Sequence, residues 1–276
     1  MNYRHSFHAG NSADVVKHSL LIALVRALQL KESPLTLIDT HAGCGLYDLG
    51  GDEAQRTGEA TQGVVRAFAD TNPLLDDYRS AVNAVNAGAE PHLYPGSPRF
   101  LSQLLRPQDF LILNEKHPED AYALRGAMRD TSAAVHQRDA YELWLAMLPP
   151  RTPRGVVVVD PPYEQTDERA RITDTLAAAT RKCAHGVTVV WYPLKDRATH
   201  VRWKAQLHKL GIPKFLVVEH WLYDTDQPDI YNGAGLFIVN PPYAFTQALP
   251  PLLEALRAAL APEGHRGEIT ANWLGD

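Results

Sequence analysis

Two tetrapeptides in the chain join an acid or an amide to two prolines and a tyrosine. Asp160-Pro161-Pro162-Tyr163 ends a run of valines, and Asn240-Pro241-Pro242-Tyr243 repeats the pattern further along. An exocyclic adenine amino group is a poor nucleophile, and two acceptors for its hydrogens would hold it in line with a methyl donor. The Asp160 carboxylate and the Pro161 carbonyl are such acceptors, and the Tyr163 ring offers a surface for a flipped base. The alternative is structural: the prolines end a strand and the tyrosine packs.

The apolar segment 35–39 runs into a glycine turn that contains Gly43. In an open α/β sheet, ligands lie beyond the carboxyl ends of the strands, where glycines allow close approach to the backbone. The dinucleotide fingerprint G-x-G-x-x-G is absent from the sequence, which disfavours an NAD site. Taken alone, the turn fits an ordinary strand–helix connection as well as a nucleoside site.

Two further predicted strands end in acids. Glu115 ends the segment 110–115, where a carboxylate can accept hydrogen bonds from both hydroxyls of a ribose. Asp139 follows the next strand, where its carboxylate can accept an adenine amino proton while the N–H of Ala140 donates to a ring nitrogen. The alternative for Asp139 is an N-cap of the following helix. Acids in this order favour an S-adenosylmethionine site.

The elements that must position these residues follow from short apolar runs that alternate with helical patterns. Strands are predicted at 35–39, 110–115, 133–139, 155–160, 186–192, 214–222 and 235–240. Nearly continuous β-branched strands separated by helices indicate a mostly parallel sheet with helices on both faces. The interval 47–98 has two helix candidates and no strong strand. We therefore predict an α/β fold with a seven-stranded sheet, in which 1–46 and 99–276 form the core and 47–98 an inserted helical subdomain.

The direction of the last predicted strand separates the two tetrapeptides. Asp160 follows the fourth strand, which this architecture places beside the glycine-loop strand. The segment 235–240 follows the sixth strand through a short connection without a helix, which indicates an antiparallel pair. Asn240 would then lie at the opposite edge of the sheet, so only Asp160 is retained as a candidate catalytic residue.

Composition narrows the class of protein. The 276 residues are 45% hydrophobic, carry a net charge of −5 and include two cysteines. This charge confines any nucleic-acid contact to local basic patches, and two cysteines are too few for a disulfide framework or a cysteine zinc site. The N-terminal histidines lack the i, i+4 spacing of a helical zinc site. Without a signal sequence or a long apolar run, we expect a cytoplasmic protein that binds no metal and no membrane.

Five segments distributed over the chain carry a family resemblance. They are YRHSFHAGNSADVVKH, DTHAGCG, YPGSP, NEKHPED and DPPY. Together they resemble the RlmJ family, whose members methylate N6 of an adenine in 23S ribosomal RNA with S-adenosylmethionine. The resemblance covers essentially the whole chain and implies a Rossmann-like class I methyltransferase core with a small helical insertion. It also implies a monomer, and we expect its 23S rRNA substrate to be protein-free or partly assembled.

The resemblance also assigns roles to residues that chemistry alone does not select. The candidate cofactor-binding residues are Lys17, His18, His41, Gly43, Ser97, Glu115, Asp139, Ala140 and Asp160. Of these, Lys17 and Gly43 are neighbours that we add to the residues that the resemblance implies. The catalytic candidates are Asp160, Pro161 and Tyr163, and the candidate RNA contacts are Tyr3, Arg4 and Tyr163. The resemblance implies that Asp160 is a proton acceptor. Because a carboxylate near pKa 4 is a weak base, we expect orientation of the amino group to be its larger contribution.

The segment 193–214 holds six basic residues against one acid. On a helix, Lys195, Arg202 and Lys209 would share one face, which predicts phosphate contacts; the alternative is an ordinary solvated surface. Three functions stay open from the sequence. They are methylation of an rRNA adenine, methylation of DNA adenine or of a protein glutamine through Asn240, and RNA binding without catalysis.

Overall fold

The computed structural model describes residues 4–223, 226, 232–261 and 264–274. Their helices are α1 (Ser12–Gln29), α2 (Asp52–Thr57), α3 (Val64–Ala69), α4 (Asp76–Asn86), α5 (Ser97–Leu104), α6 (Pro118–Ala127), α7 (Ala140–Ala146), α8 (Glu168–Lys182), α9 (Arg197–His208) and α10 (Tyr243–Leu260). Their strands are β1 (Leu35–Asp39), β2 (Leu46–Asp48), β3 (Leu93–Pro95), β4 (Phe110–Asn114), β5 (Ala134–His136), β6 (Arg154–Val159), β7 (Val187–Leu194), β8 (Phe215–Trp221), β9 (Gly233–Val239) and β10 (Glu268–Trp273).

The main sheet has eight strands within the described part of the chain, in the order β10-β8-β9-β7-β6-β1-β4-β5. The pairs from β5 to β7 are all parallel, whereas β9 runs antiparallel to both β7 and β8. The predicted mostly parallel sheet is confirmed. The predicted number of seven strands is one too few because β10, which pairs with β8 at the edge, is mostly exposed and lacks the apolar run of a buried strand.

Helices cover both faces of this sheet. One face packs against α1, α4, α5 and α10, and the other packs against α7, α8 and α9. Side chains of successive strand residues point alternately into the apolar cores on the two faces of the sheet. Val156 and Val158 face the first core, and Val157 and Val159 face the second. The strands between these layers therefore end at an edge that helices leave open, as expected for an α/β sheet.

The interval 47–98 contains α3 and α4 at the two predicted helical segments, and two elements that were not predicted, α2 and a β-ribbon. β2 and β3 form a small antiparallel ribbon that brackets the interval. Val64, Tyr78 and Val82 are buried in the same apolar cluster as α1 and α10. The interval thus shares its core with the rest of the chain, and its separation as a subdomain, with the boundaries 1–46, 47–98 and 99–276, stays a proposal.

Candidate active site

A cavity of about 490 Å³ lies at the carboxyl edge of the parallel strands, beside the start of α1. The sequence candidates that line it are Arg4, Lys17, His18, His41, Gly43, Ser97, Glu115, Asp139, Ala140, Asp160 and Pro161. Of the described candidates, only Tyr163 is absent from the wall, and Tyr3 lies outside the described residues. Four strand ends and the first turns of α1 thus bring together residues that are far apart in the chain.

An ion-pair chain links α1 to the end of β6. Nζ of Lys17 donates to Oδ1 of Asp14 at 2.8 Å and to Oδ2 of Asp160 at 2.6 Å. Burial disfavours the charge on Lys17, but the two carboxylates outweigh burial and raise its pKa. Lys17 therefore stays protonated and fixes the direction of the Asp160 carboxylate. Among the described residues, Oδ1 of Asp160 receives no hydrogen bond.

Asp14 is a member of this chain that the sequence analysis missed. Its side chain is 2% exposed and also accepts hydrogen bonds from the Gly10 N–H at 2.9 Å and from the His5 ring at 3.0 Å. Burial would raise the pKa of Asp14, but Lys17 and His5 lower it well below the ordinary value. The i, i+3 spacing of Asp14 and Lys17 on a predicted helix was the available signal.

The glycine turn and Glu115 meet on one wall of the cavity. Oε2 of Glu115 accepts the N–H of Gly43 at 2.9 Å, and Oε1 accepts the N–H of His117 at 2.8 Å. Burial raises the pKa of Glu115, against the effect of these hydrogen bonds. Gly43 has a φ of 59°, and a Cβ there would lie 2.1 Å from the Tyr47 hydroxyl. Glycine is therefore required at this position.

Two histidines of the cavity wall are neutral. Burial lowers the pKa of His41 to about 4 and lowers that of His18 well below its ordinary value. Nδ1 of His18 shares a hydrogen bond of 2.7 Å with the Tyr94 hydroxyl, and the imidazole stacks on Phe100. Nε2 of His18 is buried and has no partner among the described residues. A buried polar atom without a partner is costly, so this atom marks a place for a polar ligand group.

Asp139 caps α7, as the structural alternative predicted. It accepts the N–H of Tyr141 at 3.0 Å and pairs with Lys116 at 3.1 Å and Arg171 at 3.2 Å. Burial would raise the pKa of Asp139, but Lys116 and the helix N–H groups lower it. The cap and the ion pairs are observed, and a contact of Asp139 and Ala140 with a cofactor adenine remains a prediction.

Ser97 begins α5 and reaches a buried acid at the end of β1. Its hydroxyl donates to Oδ2 of Asp39 at 2.6 Å, and the His41 N–H donates to Oδ1 at 3.2 Å. Burial raises the pKa of Asp39 to about 6, although the hydrogen bond from Ser97 opposes the rise. Asp39 was not selected from the sequence. It ties the glycine-loop strand to α5 and so holds two walls of the cavity together.

Tyr163 points away from the cavity wall and into an aromatic group. Its hydroxyl donates to the carbonyl of Trp191 at 2.7 Å, and its ring packs edge-on against Trp191 and Trp203. Tyr163 has a φ of 54°, which a non-glycine residue rarely adopts. Both the catalytic role and the RNA contact suggested for Tyr163 remain predictions, and the described conformation favours a supporting role.

The N-terminal segment closes one side of the cavity. Arg4 pairs with Glu53 of α2 at 3.2 Å, and the Ser6 hydroxyl donates to the same carboxylate. Arg4, His5 and Ser6 all line the cavity. The RNA contact predicted for Arg4 would have to replace its ion pair with Glu53.

Asn240 lies at the opposite edge of the sheet, as predicted. Its side-chain amide donates to the carbonyls of Ala184 and Gly186 at 2.9 and 3.0 Å, just before β7 begins. Asn240 follows β9, whose antiparallel direction is confirmed. The predicted absence of a helix between β8 and β9 concerns a segment that lies mostly outside the described residues.

The predicted basic helix is α9, and it is shorter than predicted. Asp196 caps it by accepting the Thr199 N–H at 2.7 Å, so Lys195 precedes the helix and the shared face of three cations is wrong. Arg202 and Lys209 are both exposed. Because α9 runs from the end of β7 to the start of β8, Lys209 lies toward the edge remote from Asp160.

Two findings concern other classes of site. Within the described ranges, no group of three or more His, Cys, Asp or Glu side chains could hold a metal ion. No helix among the described residues has the length and apolarity needed to cross a bilayer.

The site combines the Asp160 carboxylate, one oxygen of which is bound to Lys17, with the Pro161 carbonyl and a cavity large enough for a nucleoside. These groups can orient an amino group beside a bound cofactor.

A family model, two relatives and a crystal structure match this chain over most of its length. The family described as "Ribosomal RNA large subunit methyltransferase D, RlmJ" matches residues 32–275. Ribosomal RNA large subunit methyltransferase J from Escherichia coli strain K12 is 36% identical over 99% of both chains, and that from Haemophilus influenzae is 35% identical over 99% of both. A crystal structure of a Legionella pneumophila protein has a TM-score of 0.88 and 31% identity, over 98% of this chain and 99% of that one.

Proposed function

This chain belongs to the RlmJ family of ribosomal RNA large subunit methyltransferases, and on that premise we propose that it methylates N6 of an adenine in 23S ribosomal RNA with S-adenosylmethionine. The observation that carries the proposal is the position of Asp160 and Pro161 on the wall of the cavity, with the carboxylate held by Lys17 at 2.6 Å. This arrangement supplies two acceptors for one amino group, as the chemistry requires.

The residues present fit S-adenosylmethionine. The cavity of about 490 Å³ is of the size that small-molecule cofactors occupy. Glu115 would accept the ribose hydroxyls, Ala140 would offer its N–H to the adenine, and the unpartnered Nε2 of His18 would meet a polar group. When bound, this cofactor supplies a methyl group activated by a positively charged sulfur.

The chain's own residues would prepare the adenine for transfer. Oδ1 of Asp160 accepts one amino hydrogen and the carbonyl of Pro161 accepts the other, so the nitrogen lone pair faces the methyl donor. Lys17 prevents the carboxylate from turning because it holds the second oxygen. The amino nitrogen becomes acidic only as it gains the methyl group, and Asp160 is then the base placed to receive its proton.

The test uses purified protein, labelled S-adenosylmethionine and deproteinised ribosomal RNA, followed by nucleoside analysis. N6-methyladenosine supports the proposal, whereas label in DNA or in a protein glutamine supports the rival chemistry. Absence of transfer by folded protein supports RNA binding without catalysis. Asp160→Ala should abolish transfer, and the matched change Asn240→Ala should preserve it if the variant folds. The reverse pattern would overturn the assignment.

The setting of the reaction is also a proposal. We place the enzyme in the cytoplasm as a monomer, acting on 23S rRNA that is protein-free or partly assembled. The support is the family membership and the position of Asp160 in the wall of a cavity, which a base can enter only when it is flipped out of a helix. Transfer into intact large subunits as fast as into deproteinised RNA would contradict this proposal.

A further inference from the structure

Trp191 stands directly beside Asp160, although no motif singles it out. β6 and β7 are parallel neighbours in which Val159 lies opposite Val190. The next pair in this register is Asp160 and Trp191. Neighbouring strands are about 4.8 Å apart, so the two residues start from adjacent backbone positions.

The two side chains also share a face of the sheet. The face of α1 receives Val158 and Val189, and the opposite face receives Val159 and Val190. Because strand side chains alternate, Asp160 and Trp191 both project toward the face of α1. The ion pair between Asp160 and Lys17 of α1 agrees with this direction.

Trp191 is partly exposed at this edge, next to the lining residue Asp160 although not itself in the wall of the cavity. It is one of two partly exposed residues in β7, whose other residues are buried. Nε1 of Trp191 is buried and has no partner among the described residues, so the exposed part of the residue does not include its indole N–H. The indole is held in place because its backbone carbonyl accepts the Tyr163 hydroxyl at 2.7 Å and the Tyr163 ring packs edge-on against it.

We propose that Trp191 is a positioning residue for the target base: the adenine packs on its indole ring, at the margin of the cavity, while Asp160 and Pro161 accept the amino hydrogens. This inference rests on the proposed function. A planar apolar ring stacks with any base, since every base has a π-face. Trp191 therefore supplies affinity and orientation, and the choice of adenine is left to the two acceptors.

Tyr163 and Trp191 have different roles in this proposal. Tyr163 belongs to the tetrapeptide that drew attention to the site, yet its hydroxyl is committed to the Trp191 carbonyl. Trp191 lies outside the tetrapeptide and offers the ring surface. Tyr163 supports Trp191, and Trp191 meets the base.

The first test compares Trp191→Phe and Trp191→Leu with the matched control Trp273→Leu. Trp273 is 38% exposed on the edge strand β10, three strands from β7. Each variant is assayed for kcat/KM on an rRNA fragment that the wild-type protein methylates, and for affinity toward S-adenosylhomocysteine. Loss of a base stack should lower kcat/KM of Trp191→Leu by about 10- to 100-fold. Trp191→Phe should retain most activity, and cofactor affinity should be unchanged.

A second measurement covers the case in which Trp191→Leu fails to fold. Stacking of a base on an indole quenches tryptophan emission, so RNA should quench the wild-type protein and Trp273→Phe but quench Trp191→Phe much less. A folded Trp191→Leu with wild-type kcat/KM, or undiminished quenching in Trp191→Phe, would overturn the inference. Failure of the wild-type protein to methylate any adenine would instead overturn the proposed function.

Discussion

Replacing Lys17 with methionine keeps much of the side chain's shape but removes its charge. Lys17 is 4% exposed, and its ammonium donates to Asp14 and Asp160 at 2.8 and 2.6 Å. We expect Lys17→Met to lower the free energy of unfolding by about 3–5 kcal/mol, the range for removing one partner of a buried ion pair. Two hydrogen bonds to charged groups, at about 1.5–3 kcal/mol each, lead to a similar figure.

The pH dependence of this loss has a definite sign. In the native protein the pKa of Asp14 lies well below 3.8, because Lys17 and His5 outweigh the effect of burial. Asp14 therefore contributes stability that is present above its unfolded pKa and is lost as the pH falls. In Lys17→Met the burial remains and the main cation is gone, so the pKa of Asp14 rises above the unfolded value. The variant should lose stability as the pH rises above about 4.

The assay is urea unfolding followed by circular dichroism at pH 5 and pH 8. The matched variant combines Lys17→Met with Asp14→Asn. The second change also removes the negative charge of Asp14, the more deeply buried of the two carboxylates that Lys17 contacts. It should recover about 1–2 kcal/mol relative to Lys17→Met at pH 8, because an uncompensated charge is gone. The reasoning fails if Lys17→Met unfolds within 1 kcal/mol of the wild type at pH 8, or if the double variant is no more stable than the single one.

Three other changes test separate parts of the structure. Gly43→Ala should weaken binding of S-adenosylhomocysteine at least about tenfold by calorimetry, because its Cβ would meet the Tyr47 hydroxyl at 2.1 Å, and Tyr47→Phe should restore part of the loss. Asn240→Ala should lower the free energy of unfolding by about 0.5–1.5 kcal/mol in urea, since the exposed Ala184 carbonyl and the half-buried Gly186 carbonyl lose their donor; a neutral effect would refute the role of that amide. The double change Arg202→Ala and Lys209→Ala should weaken RNA binding and make it less dependent on salt, with a slope that corresponds to up to about two fewer phosphate contacts. An unchanged slope would exclude this surface as an RNA contact.

The sheet could be predicted because its strands are local and apolar. The predicted strand 35–39 coincides with β1, and the antiparallel direction of β9 followed from a connection too short for a crossover helix. β10 was missed because four of its six residues are exposed and the other two only half-buried, as an edge strand allows, so that it has no continuous apolar run. The ribbon of β2 and β3 was missed because strands of three residues carry almost no pattern.

The sequence predicted which residues form the candidate site better than it predicted which residues contact one another there. Strand ends identified Glu115 and Asp160, because parallel strands bring their carboxyl ends to one edge. Which partner each acid takes depends on tertiary packing, so the sequence did not predict that Lys17 would hold Asp160 or that Asp14 would complete the chain. For the same reason the tetrapeptide indicated Tyr163 as the base platform but not that its hydroxyl donates to the Trp191 carbonyl, and the role of Tyr163 stays a prediction.

The link between Lys17 and Asp160 also sets an order of events during synthesis. Its two residues are 143 positions apart, whereas Lys17 and Asp14 are neighbours on one helix turn. At about 5–20 residues per second, roughly 7–30 s separate the emergence of Lys17 from that of Asp160. During this interval Lys17 has only Asp14 of its two carboxylates, and β1 lacks its neighbour β6. The enzyme's reactive edge therefore cannot close until more than half of the chain has emerged, and a nascent chain that ends before β6 holds the glycine turn without Asp160 and Pro161.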